Sequence, residues 1–222
     1  MTHSLHRSGT IESLKTDFVW LIYHTKGIND ANIVNRLKKA IEIVQEEGSE
    51  NWGDVKTGTI LNTNLQMIKD NLSEKSRLRG VFTTRKQVAG FLEKMQKENL
   101  GFCVTISGLL SEIKKTTEET GIKPHTINYS MGIFGKKKLL AKDDILDITT
   151  MCGHHMVPNG VVKDLQEKVI NGKISSVEAA ESLAEFCPCG IFNQVRAEKL
   201  LENKITAQYY STLKKQTCFC RV

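Results

Sequence analysis

With 222 residues, 40% hydrophobic and 25% charged, and a formal net charge of +6, the chain has the composition of a soluble globular protein of one large or two small domains. Its lysines and arginines are interspersed with acids. The one dense run, Lys136-Lys137-Lys138, reads as a solvated turn, which disfavours a nucleic-acid binder. No stretch approaches the ~20 apolar residues that span a bilayer, so no membrane partner is expected.

The opening residues, MTHSLHRSGTIESL, lack the apolar core of a secretory signal, and the expected compartment is the cytoplasm. Thiols stay reduced there. The six cysteines therefore read as metal-binding or redox-active rather than as a disulfide framework. Residues 1–16 are polar and turn-rich and read as an N-terminal arm, disordered or loosely docked. Within it, Leu5-His6-Arg7-Ser8-Gly9-Thr10 combines a cation, hydroxyls and a glycine that could wrap an anion.

Asp17 to Thr25, DFVWLIYHT, is a nearly continuous apolar run of strand length. A turn follows, with Asp30 as helix N-cap candidate. Ile33, Val34, Leu37, Ala40, Ile41 and Val44 then recur at helical spacing up to Gly48. Residues 49–77 give weaker signals: a short strand at Thr57–Leu61 and a short helix at Leu65–Leu72. The pattern then clears into a strand at Arg79–Thr84, a helix over Arg85–Asn99, a buried strand at Gly101–Gly108 and a helix over Leu109–Thr120, closed by Gly121. After Pro124, His125 to Ile133 alternates polar and apolar residues as a strand does. Residues 17–138 are thus expected to form a two-layer α/β (α+β) domain on a mixed sheet, with ferredoxin-like topology as the candidate.

Beyond Lys138 the strand signal stops. Helices are expected at Asp143–Thr150, at Val157–Asn171, after the capping box Ser175-Ser176-Val177-Glu178, and after an Asn193 cap to about Leu201. Residues 139–222 read as a small helical Cys/His-rich metal-binding domain, or a helical layer against the sheet, ending in a Cys-x-Cys tail.

Five of the six cysteines fall here, at the expected helix ends: Cys152, Cys187, Cys189, Cys218 and Cys220. Met151-Cys152-Gly153-His154-His155-Met156 and Phe186-Cys187-Pro188-Cys189-Gly190 bring together the soft thiolates and imidazoles that zinc or an iron–sulfur cluster requires. Cys152, Cys187 and Cys189 are the expected cofactor ligands. One of His154 and His155, a tail cysteine, or a substrate is available for a fourth position. The tail pair could instead cycle between dithiol and disulfide. Met151 and Met156 read as packing residues, and Cys103 reads as core. Cys-x-Cys spacing places two sulfurs comfortably on different irons of a cubane. The expectation is therefore a 4Fe-4S protein working in electron transfer or small-molecule and sulfur chemistry, with a redox protein or small molecule as partner. Zinc stapling a binding or regulatory module, and a thiol-based metal or sulfur carrier, are the alternatives. His24, Ser107, Gly108, His125, Asn128 and Ser130 fall at strand ends or on one strand face, as a polar pocket or a solvent face would place them. No nucleotide-binding or hydrolase motif is present, and no catalytic residue is assigned.

Overall fold

The computed structural model describes residues 4–28 and 30–216, with side chains as far as residue 207. Its centre is β1 (Phe18–Tyr23), the apolar run singled out above, which pairs on one side with β4 (Leu78–Phe82) and on the other with β5 (Cys103–Ser107). β2 (Asn51–Asp54) lies outside β4, and the two-residue β3 (Gly58–Thr59) completes the order β3-β2-β4-β1-β5. Every neighbouring pair is antiparallel, so the mixed sheet expected from sequence is corrected to an antiparallel one.

Period-two alternation sends β1 side chains into two separate cores. Phe18, Trp20 and Ile22 pack with the amphipathic helices α2 (Ile33–Glu46) and α4 (Arg85–Lys97). Val19 packs in the opposite direction, with the helices of the C-terminal region. The sheet is therefore covered on both faces, and the two-layer expectation becomes three layers. Gly80 is needed in β4. A Cβ there would stand 2.6 Å from Cζ2 of Trp20 and 2.5 Å from Cβ of Trp52, so the indoles can cross the sheet only above a glycine.

α4 opens with a capping box between Thr84 and Gln87. The short α3 (Leu65–Asp70) is capped by Asn64, and α5 (Leu110–Thr120) closes at left-handed Gly121. Asp30 is not the cap of α2. Asn32 holds that position, and Asp30 accepts the N–H of Gly27. The alternating stretch 125–133 is not a strand and is exposed throughout, which is a second correction.

The C-terminal region is helical: α6 (Asp143–Thr149), α7 (Asn159–Ile170), α8 (Ser176–Glu185) and α9 (Gln194–Gln216). The Ser175–Glu178 capping box forms, and Asn193 Oδ1 accepts the N–H of Arg196 at the start of α9. Asn193 also donates to Thr16 O and Asp17 Oδ1, Asn51 donates to Phe192 O, and Gln194 donates to Glu50 O, fastening the helical layer to the sheet.

Residues 4–17, which include the short helix α1 (Ile11–Leu14), are tied down rather than loose. The anion met by Arg7 is internal: its guanidinium bonds Asp17 and the carbonyls of Met151 and Ile191. Arg196, almost fully buried, bonds the other Asp17 oxygen, Ser13 Oγ and Ser8 O. Among the described residues, no helix is long and apolar enough to cross a membrane.

Candidate metal centre

Cys152 sits in the turn that follows α6, where its carbonyl accepts the N–H of His155 at 2.9 Å. His155 takes a left-handed φ of +58°, which reverses the chain there. The amides of His154 and Met156 point back at the Cys152 sulfur and stabilise a thiolate. The second loop, between α8 and α9, is built on the same principle. The N–H of Cys189 points at the Cys187 sulfur, and Gly190 N–H closes the turn onto Cys187 O at 3.2 Å. Gly190 has a φ of +70°, and a Cβ on it would stand 2.7 Å from the Trp52 backbone carbon. Only glycine lets this loop lie so close to β2.

The two loops face each other. Cys187 stands beside Cys152, and the interaction between the two thiols is the main cause that brings the Cys152 thiol down to about 5, against the opposing effect of burial. Cys187 is pushed up in turn, by the interaction with Cys152 that keeps its proton in place, by burial and by the charges of Cys152 and Cys189. His154 Nδ1 lies 3.3 Å from Cys189 Sγ. Arg79, reaching across from β4, donates to the same sulfur at 3.1 Å. Burial raises the Cys189 thiol, and the Arg79 cation opposes it. Each of the three cysteines is 1% exposed, whereas His154 and His155 lie at the surface.

The structure thus brings together Cys152, Cys187, Cys189 and His154 from two loops well apart in sequence. They stand as two contacts, Cys152 with Cys187 and Cys189 with His154. Among the described residues, no three His, Cys, Asp or Glu side chains are already arranged around a point where an ion could sit. His155 shapes the turn through its backbone. Cys218 and Cys220 lie outside the described residues. Met151 is buried in the core and Met156 is exposed. Cys103 is half-buried beside the Tyr23 phenol rather than deep in the core. Of the strand-end residues, Ser107 is buried and bonded to Ser4, and His125, Asn128 and Ser130 face solvent.

Two participants escaped sequence reasoning. Arg79 had a usable signal, a charge at an alternate position inside a buried strand. Arg7 had a partial one, as a cation in a hydroxyl-rich arm. No family model, curated protein or solved structure matches the chain.

Proposed function

We propose that the chain is a metal-stapled module in which Cys152, His154, Cys187 and Cys189 close on a single divalent ion of the zinc type. The observation that carries this reading is the meeting of two amide-lined cysteine loops, thiol against thiol and thiol against imidazole. In a tetrahedral site with metal–sulfur bonds of about 2.3 Å, neighbouring ligand atoms stand ~3.5–4 Å apart. Rotation of these side chains would exchange the thiol–thiol and thiol–imidazole pairings for metal bonds. A Cys₃His set around a divalent ion carries one net negative charge, and Arg79 beside Cys189 supplies the compensating cation. The burial of all three sulfurs matches a closed structural site, which holds the loops after α6 and α8 together, rather than one with an open position for substrate.

An iron–sulfur cubane, expected from the Cys-x-Cys spacing, would hold its thiolates on separate irons. The pairing of Cys152 with Cys187 and of Cys189 with the His154 imidazole supports the single ion instead. The order β2-β4-β1-β5, with α2 and α4 as crossovers and β3 set aside, supports a ferredoxin-like reading of the sheet. A fold of that kind carries no function by itself.

Metal analysis of protein purified without oxygen tests the proposal. The expected result is about one zinc per chain, lost in Cys187→Ser, with intense tetrahedral cobalt bands after exchange. A brown protein with iron and acid-labile sulfide would replace the single ion with a cluster. Absence of any tight metal would overturn both.

A further inference from the structure

Two features of the fold are incomplete and complement each other. The first is the outer edge of β5. Residues 103–106 are half-buried, whereas nearly all of β1 and all of β2 are buried. Among the described residues, no backbone-to-backbone bond beyond the β1 ladder involves this strand. The second is the stretch 125–133. Ile127, Tyr129, Met131 and Ile133 alternate with Thr126, Asn128 and Ser130, which is the pattern of a strand with one apolar face. Yet residues 123–134 make no backbone-to-backbone hydrogen bond among the described residues, and the apolar side chains stand in solvent, Met131 at 83% exposure. An open sheet edge and an exposed run of apolar side chains in strand register are features that invite pairing with another chain.

We propose that residues 125–133 pair with the β5 edge of a second copy of this chain, reciprocally, to form a two-fold dimer. One strand and one edge per protomer satisfy each other in an isologous pair and leave neither open, which a one-way contact would not achieve. The packing also matches. Val104 and Ile106 of β5 join the core on the α2 and α4 side, together with Ile113 of α5. A strand added at this edge with Ile127, Tyr129, Met131 and Ile133 on that side extends the same apolar layer. This dimer does not depend on the metal reading.

Sedimentation and hydrogen exchange of the full chain, each at low and high protein concentration, test the inference. Expected is a monomer–dimer equilibrium in which amides of 125–133 and of 103–107 gain protection of about tenfold or more as the dimer forms. Asn128→Pro and Tyr129→Pro place a proline at each parity, so one of them removes a ladder donor whichever side pairs. That variant should stay monomeric and unprotected, with unchanged circular dichroism because the stretch is exposed. Protection of 125–133 in a protein that sediments as a monomer would mean that the stretch pairs within its own chain, and would overturn the proposal. A monomer without protection, or a dimer whose 125–133 amides stay unprotected, would overturn it equally.

Discussion

Removing the Arg7 guanidinium should loosen both cysteine loops at once. The Arg7 side chain is 6% exposed and bonds Asp17, Met151 O and Ile191 O. Met151 immediately precedes Cys152, and Ile191 lies two residues after Cys189, so one cation ties the two loops to the start of β1. Arg7→Ala would leave two loop carbonyls without this donor and Asp17 with Arg196 as its remaining cation. Breaking a buried pair by removing one partner costs ~3–5 kcal/mol. Because Arg196 still neutralises Asp17, the lower end applies, about 3 kcal/mol. For a chain of this size, that lowers Tm by roughly 6–12 °C. Urea unfolding of the reduced, chelated protein measures the change. A loss below about 1 kcal/mol would refute the reasoning, because it would mean that water replaces Arg7 at little cost.

Arg79→Gln keeps a hydrogen-bond donor but removes the charge beside Cys189. It should weaken metal binding by about 10–100-fold in chelator competition, and an unchanged affinity would remove Arg79 from the site. His154→Ala should weaken metal binding while His155→Ala leaves it nearly intact, because only His154 has its ring at a sulfur; equal effects in titrations of the two variants would contradict this assignment. Gly190→Ala should destabilise by about 1–3 kcal/mol in denaturant titration, since the new methyl group would meet the Trp52 backbone and the residue is left-handed.

Sequence patterning succeeded where one element decides its own structure. The apolar run of β1, the spacing in α2 and α4, and the Ser175–Glu178 capping box are local signals, and the structure carries all of them. β2 was not readable, because Asn51-Trp52-Gly53-Asp54 has poor strand propensity. It is held by its neighbours, with Trp52 opposite Gly80 and Asn51 bonded to Phe192 O. The stretch 125–133 failed in the opposite way, since its pattern is that of a strand and no described residue pairs with its backbone. The grouping of Cys152, Cys187 and Cys189 was readable from residue type and from their place at helix ends. The Cys189–His154 contact was not, because it depends on the turn at His155 and on the approach of Gly190 to β2. The antiparallel order of the strands likewise depends on long-range pairing, which periodicity does not report.

Arg7 and the proposed metal ion hold the same two loops, one from the backbone side and the other from the thiol side. This has a thermodynamic consequence. If Arg7 keeps the Met151–Cys152 and Cys189–Ile191 segments in position, metal binding to the wild-type chain needs less ordering than binding to Arg7→Ala. Linkage then requires Arg7→Ala to destabilise the metal-loaded protein more than the chelated protein, by RT times the logarithm of the affinity ratio. A tenfold loss of affinity corresponds to about 1.4 kcal/mol of additional destabilisation. The measurement is a cycle of four unfolding curves, wild type and Arg7→Ala, each with saturating zinc and with chelator. Equal destabilisation in the two conditions would show that the carbonyl contacts and the sulfur cluster are independent. An additional loss near 1.4 kcal/mol, matched by a separately measured tenfold fall in zinc affinity, would make the N-terminal segment part of the metal site through the carbonyl contacts of Arg7.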